Sequence, residues 1–182
     1  FDISHTQGAE TVASAVVFQN GEPRKAEYRH MKIKGDWGND DFRSMEEAVF
    51  RYFRRRMEED RPLPDLVLID GGKGQLSSAA EALKEVEAYG RFPIIGLAKR
   101  LEEVFFPGDS DAVLIPRASA SLQLLQRARN EAHRFAVTFQ QKQRQKKMIH
   151  SELMDIPGVG DKRVRALIKA FGSVKKIRRF FV

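Results

Sequence analysis

The run Leu66-Val67-Leu68-Ile69 ends on Asp70 and passes at once into Gly71-Gly72-Lys73-Gly74-Gln75, and this passage constrains the fold more than any other. Four consecutive apolar residues, two of them β-branched, suit a strand covered on both faces, and helical spacing of apolar residues begins directly after the glycines. Asp70 then stands at the carboxyl end of a strand, the edge at which open α/β sheets bind their ligands, and the glycines let a backbone approach closely there. Alone, the pattern equally fits an aspartate that closes a turn or caps the next helix. What distinguishes the readings is the company that the rest of the chain supplies.

Phe1-Asp2-Ile3-Ser4-His5 reads as the end of a strand, with a second carboxylate, Asp2, between apolar neighbours. Residues 11–18 predict another strand, Asn20-Gly21 a tight hairpin turn, and residues 26–33 a returning strand, giving three antiparallel strands in succession. A polar loop over 34–41 leads to Ser44-Met45-Glu46-Glu47, which reads as a capping box opening a helix with Met45, Val49, Phe53 and Met57 on one side. Asp40 and Asp41 just precede it, where the helix dipole favours acids. Beyond Asp70, Leu76, Ala79, Ala80, Leu83 and Val86 keep helical spacing until Gly90 stops the run.

Residues 93–98 predict a further buried strand, and 104–106 with 112–115 a hairpin around Pro107-Gly108-Asp109. A long helix is expected from Ser121, with Leu125, Ala128, Ala132, Phe135, Ala136 and Phe139 as its core stripe and His133 beside that stripe. The order is thus three strands, helix, strand, helix, strand and a late helix. It allows Asp2, Asp70 and a polar group of the late helix to converge over adjacent strand ends.

The formal net charge of +7 is unevenly placed: 12 of the 32 basic and 3 of the 25 acidic residues lie in 140–182, leaving that segment at +9 and the rest at −2. A positive segment beside an acidic body suggests a phosphate-backbone grip attached to a separate working domain. The same segment holds Ile156-Pro157-Gly158-Val159-Gly160-Asp161-Lys162-Arg163, a helix, Pro-Gly-x-Gly turn and helix. Glycines on both sides of Val159 are expected to free three successive backbone amides for one phosphate, with the positive end of the second helix and Lys162 and Arg163 beside them. Such a grip reads no bases, so binding is expected to be largely sequence-independent and steeply salt-dependent. The chain has no cysteine, which excludes disulfides and thiolate-held zinc and fits a reducing compartment such as the cytoplasm. No apolar run reaches the length of a membrane span or signal peptide. Starting on Phe1, the chain reads as a piece of a longer protein.

Five motifs in order, Phe1-Asp2-Ile3-Ser4-His5, Asp41-Phe42-x-x-Met45, Ile69-Asp70-Gly71-Gly72-Lys73-Gly74-Gln75, Ala98-Lys99-Arg100 and Glu131-Ala132-His133-Arg134-Phe135-Ala136, closely resemble the C-terminal half of UvrC, a component of the bacterial UvrABC excinuclease. The resemblance covers essentially all 182 residues and includes a helix-hairpin-helix through Phe171-Gly172-Ser173. It implies an α/β fold, an RNase H-like mixed sheet flanked by helices over 1–140, followed by a small all-α, basic helix-hairpin-helix segment over 141–182 whose second hairpin is cut short after Ile177.

It further implies a metal-dependent DNA endonuclease making the cut 5′ to a lesion in nucleotide excision repair, on damaged double-stranded DNA, loaded by the excinuclease component UvrB and the damage-recognition complex. The family's catalytic acids correspond to Asp2 and Asp70, which would hold Mg²⁺ or Mn²⁺, its histidine to His133, and a further acid to Asp41. Lys99, Arg100 and Arg134 are candidate phosphate contacts beside Gly158, Val159, Gly160, Lys162 and Arg163. Two positions depart from the family. Asn130 stands where an aspartate is usual, so it can accept a hydrogen bond but cannot orient a histidine by charge, and Gln140 replaces a common histidine. The loop Gly35-Asp36-Trp37-Gly38-Asn39 leaves Asp40 and Asp41 as alternatives. The rival class is a non-catalytic DNA-binding and partner-docking module on a nuclease-like fold; a general RNase H-type ribonuclease is a third.

Overall fold

Side chains of successive strand residues point to opposite faces, and what each face packs against sorts the first 137 residues into layers. A computed structural model describes residues 1–5, 11–99, 102–173, 176–177 and 179, without the side chains of 146–147 and 149–152. The strands are β1 (Asp2–His5), β2 (Thr11–Ala15), β3 (Phe18–Gln19), β4 (Glu22–Pro23), β5 (Arg29–Lys32), β6 (Val67–Asp70), β7 (Ile94–Ala98), β8 (Glu103–Phe105) and β9 (Val113–Leu114). The helices are α1 (Asp41–Glu58), α2 (Lys73–Glu85), α3 (Ala120–Met154) and α4 (Asp161–Phe171). The chain divides into two compact units, 1–137 and 138–182, and α3 contributes to both.

In the first unit β1, β2 and β5 form an antiparallel sheet in the order β1-β2-β5, with Asp2 opposite Ser14 and Ser14 opposite His30. A second sheet runs β6, β7, β8, β9; β6 and β7 are parallel, with Asp70 opposite Leu97, and the remaining pairs are antiparallel. The two sheets join where β1 meets β6. The Phe1 backbone nitrogen donates to the Leu68 carbonyl (2.7 Å), and the Asp70 amide donates to the Phe1 carbonyl (2.8 Å). One residue bracketed by two alternate residues of its neighbour is the bond pattern of a parallel ladder. The result is a mixed sheet with helices on both faces, the α/β architecture expected.

Period-two alternation assigns the faces. Val67, Ile69 and Ile94 pack with Met45, Val49 and Phe53 of α1 and Leu76, Ala79 and Leu83 of α2, and Phe1 and Ile3 lean on the same core. Ile95, Leu97 and Val104 pack instead with Leu122 of α3, joined by Leu68 and Leu125. Asp2 and Asp70, each flanked by residues of the first set, therefore face α3.

Three local expectations are corrected. Helix α1 opens at Asp41, not at the expected capping box: Asp40 accepts from the amides of Phe42 (3.0 Å) and Arg43 (3.1 Å), while Ser44 is buried inside the helix. Glu47 turns away from the cap and takes the amides of Lys34 (2.7 Å) and Gly35 (2.9 Å) and the Trp37 indole (3.0 Å), so it orders the preceding loop. The strand expected over 26–33 begins only at Arg29, because residues Lys25–Glu27 form a 3-10 turn, and the Asn20-Gly21 turn closes a separate short hairpin of β3 and β4. Helix α2 ends at Glu85, before Gly90, with Glu87 in a left-handed conformation (φ 56°).

In the second unit α3 ends at Met154, and a turn leads into α4, capped at its far end by Gly172 (φ 73°), whose amide reaches the Ile168 carbonyl at 2.8 Å. Leu153, Val164 and Ile177 form a small core against Val159, Leu167, Ile168 and Phe171.

Gly96 of β7 permits the closest backbone approach near the Asp70 turn. A methyl group there would stand 2.9 Å from the Gly71 carbonyl and 3.4 Å from Leu76 Cβ. Because the first obstacle is backbone, Gly96→Ala should destabilise the fold by about 1–3 kcal/mol, measured by denaturant unfolding.

Candidate active site

Asp2 and Asp70 are drawn side by side by the β1–β6 junction, and both are almost fully buried, 4% and 6% exposed. His133 reaches them from α3, its Nδ1 3.6 Å from Asp2 Oδ2. One donor atom from each of the three lies within 4.8 Å of the others, and they are the only such histidine and acid group among the described residues. Asp70 does not cap α2: the cap position is Gly72, which has no side-chain bond. Asp2 Oδ2 and both Asp70 carboxylate oxygens are buried without a hydrogen-bond partner among the described residues. Buried polar atoms ordinarily find partners, so three such oxygens on two neighbouring carboxylates leave a need that a cation could meet. Oxygen atoms with one imidazole nitrogen suit a hard divalent ion.

The helix that carries His133 is latched on both flanks. Arg129 Nη1 donates to Glu102 at 2.7 Å. On the β5 side, Glu131 accepts from the Tyr28 hydroxyl (3.1 Å), and Phe135 stacks on His30 with ring centroids 3.6 Å apart and meets Tyr28 edge-on at 5.1 Å. Burial, reinforced by the bond to Glu131, pushes the Tyr28 phenol up to about 12. Ala132 and Ala136, small and buried, let α3 sit close to the sheet, and His133 projects from the segment these contacts hold.

The other expected site residues are distributed as follows. Lys99 forms an ion pair with Asp70, Nζ to Oδ2 3.3 Å. Asp41 lies outside the carboxylate–histidine group and pairs with His5 Nε2. His5 faces the α1 side of β1, opposite to Asp2, so Asp41 serves that face, and Asp40 is the helix cap. Arg134 is held by Glu131 through bonds of 2.6 and 2.7 Å. Asn130 Oδ1 accepts from Arg129, Nε at 3.3 Å and Nη2 at 3.2 Å. Arg100 falls outside the described residues. In the second unit Gly158 is left-handed (φ 81°), Gly160 caps α4 in an extended conformation, and Lys162 and Arg163 are exposed in its first turn. The expectation of three successive free amides is corrected, because the Val159 amide donates to the Ile156 carbonyl at 3.0 Å and closes the turn itself.

Sequence reasoning missed Ser14, which is buried beside Asp2 on the same face with an unpartnered hydroxyl, and the aromatic latch of Tyr28, His30 and Phe135. Both depend on which strands are neighbours, a property that no local pattern carries. A largely apolar cavity of about 710 Å³, bounded by Val17, Phe18, Tyr52, Leu66 and Leu125 among others, lies next to the site but offers no comparable group of ligand atoms among the described residues.

A family model described as the UvrC RNase H endonuclease domain matches residues 1–137. The chain belongs to that family. UvrABC system protein C of Salinibacter ruber is 58% identical over 179 residues, covering 97% of this chain and 28% of that protein. The same protein of Gemmatimonas aurantiaca is 58% identical over 178 residues (98% and 29%), and that of Gloeobacter violaceus 53% over 184 (98% and 29%). The chain thus spans less than a third of the length of these curated relatives. No helix among the described residues is long and apolar enough to cross a membrane.

Burial first, and then the neighbouring Asp70 carboxylate, raise the Asp2 carboxyl above its ordinary value, against the opposing charges of Lys99 and His133. The folded chain therefore holds this proton more tightly than the unfolded chain. The contribution to stability is complete below the ordinary carboxylate value, about 4, and is lost as pH rises through the raised folded value. In metal-free buffer the melting temperature of Asp2→Asn, relative to wild type, should become steadily more favourable as the pH rises above about 4. A pH-independent difference between the two would contradict this electrostatic account.

Proposed function

We propose that this chain is a divalent-metal-dependent DNA endonuclease that makes the incision 5′ to a lesion in nucleotide excision repair. The observation that carries the reading is the convergence of two buried carboxylates, Asp2 and Asp70, with His133, three of the carboxylate oxygens having no hydrogen-bond partner among the described residues. Asp2 and Asp70 would hold Mg²⁺ or Mn²⁺ through their oxygens, with His133 at the exposed rim. When bound, such an ion supplies a Lewis acid that activates water and stabilises charge on a scissile phosphate.

The remaining work falls to the chain's own groups. His133 in place of a third carboxylate lowers the negative charge facing the DNA, and its imidazole can carry a proton to or from the reacting oxygens at neutral pH. Its approach is set by the latched helix, without help from Asn130, whose carbonyl is engaged by Arg129. Lys99 places a positive charge beside Asp70 where a phosphate would arrive. Asp41 and His5 fix the start of α1 against β1. The basic segment of 138–182, with Gly158, Gly160, Lys162 and Arg163 at the turn into α4, supplies backbone affinity for duplex DNA. We further infer a cytoplasmic protein that receives damaged duplex from UvrB, in keeping with the naming of its relatives as UvrABC system components.

Cleavage of a pre-nicked, lesion-bearing duplex tests the assignment. Asp70→Asn should reduce incision by at least about a hundredfold, the scale on which loss of a group stabilising transition-state charge is felt, and should abolish the rise in melting temperature that Mn²⁺ gives wild type. Equal cutting by the two proteins would refute the metal-site assignment. Replacing Lys162 and Arg163 together by alanine should weaken duplex binding for all sequences alike and lower the salt slope by about 2, read from binding titrations at several salt concentrations.

A further inference from the structure

We propose that Lys99 is an exchangeable counter-ion of the carboxylate site: its ammonium holds the cation's place against Asp70 while no metal is bound, and is released to the scissile phosphodiester when the metal enters. The inference rests on the reading of Asp2, Asp70 and His133 as a cation site.

Two buried carboxylates this close repel one another, and something must offset their charge before a metal arrives. His133 is too far from Asp2 for a hydrogen bond, at 3.6 Å. Lys99 is the nearer cation to Asp70, at 3.3 Å from Oδ2. It arrives there by register: Asp70 lies opposite Leu97 on the parallel neighbour β7, and Lys99 follows two residues later on the same face.

The manner of its attachment separates Lys99 from a structural ion pair. The Asp70 side chain is 2% exposed and that of Lys99 59%, so the ammonium reaches in from solvent on an uncovered stem. The contact falls short of a hydrogen bond, since Asp70 Oδ2 has no such partner among the described residues. By contrast, Arg129 and Glu102 nearby are mostly buried on both sides and meet at 2.7 Å. A lysine ammonium is a compact charge on a flexible chain, and here it is retained by charge attraction, to Asp70 at 3.3 Å first and to the neighbouring Asp2 as well.

Lys99 and a divalent ion compete for the same oxygen, so each must weaken the binding of the other. An ammonium displaced from Asp70 by a bound cation remains at the rim of the site. The nearest negative group it can then meet is the phosphate of an incoming strand, which lysine binds as a point charge.

Mn²⁺ titration calorimetry on the full chain, without DNA, tests the competition. Lys99→Met should bind Mn²⁺ about two- to fivefold more tightly than wild type, the scale of a partly exposed charge pair. Unchanged or weaker affinity would overturn the proposal. In metal-free buffer Lys99→Met should melt below wild type, and this deficit should vanish when Asp70 is already Asn; a deficit that persists in that background would overturn it also. Duplex affinity measured with Ca²⁺ should fall in Lys99→Met, whereas an unchanged value would refute the transfer to phosphate. Lys99→Gln repeats the measurements should the methionine variant lack a melting transition. A wild-type chain that binds no Mn²⁺ at all would instead remove the metal site itself, and the exchange with it.

Discussion

Two backbone hydrogen bonds, from the Phe1 nitrogen to Leu68 and from the Asp70 amide to Phe1, hold this structure's chemistry together. They join an antiparallel sheet to a largely separate one, and they set the register in which Asp2 and Asp70 emerge on one face. Bringing unpaired carboxylates out of water is unfavourable by several kcal/mol in order of magnitude. The opposition comes from the other face of the same strands, where Phe1, Ile3, Val67 and Ile69 pack against α1 and α2. Each strand, packing apolar residues on one face and carrying a single aspartate on the other, thereby uses one face to hold the other in an arrangement it would not adopt alone.

His133, the third member of the group, is delivered by a different device. A helix can rotate on a sheet, and a rotation of one residue would carry His133 away from Asp2. Contacts on both sides of it resist that rotation: Arg129 with Glu102 on one flank, Glu131 and Phe135 with Tyr28 and His30 on the other. Positioning of this kind removes motions that would otherwise have to be lost when substrate arrives. The histidine itself stays exposed, as a group that must exchange protons with water should.

Elements with a strong local signal were legible in the sequence: the strands around Asp2 and Asp70, the apolar stripe of α2 and the long helix α3. The convergence of Asp2, Asp70 and His133 was legible as a possibility, because element order restricts which strand ends can meet. Where local patterns competed, the reading failed. Asp40 lies ahead of Ser44 and caps the helix first, which leaves the apparent capping box inside it, with Glu47 drawn to the Trp37 loop. Val159 between two glycines looked like a free amide and instead closes its own turn. Neither the Lys99–Asp70 pair nor Ser14 beside Asp2 could be read from spacing, because each depends on strand neighbours far apart in sequence.

The charge distribution follows from the same chemistry. A cluster of carboxylates attracts a cation but repels the phosphodiester to be cut, so the site cannot also be the main source of affinity for a polyanion. Residues 140–182 carry net +9 while the remainder carries −2, and this placement separates the two demands. On the proposed function, phosphate attraction would reside in a small helical unit where lysine and arginine cost little, on solvated helix faces, leaving the acidic site free to be tuned for a cation. Binding would then respond to salt through one part of the chain, and hydrolysis to metal through the other. Among the described residues Lys99 is the single lysine or arginine that forms an ion pair with either buried carboxylate, which is where attraction for phosphate and attraction for metal have to be reconciled.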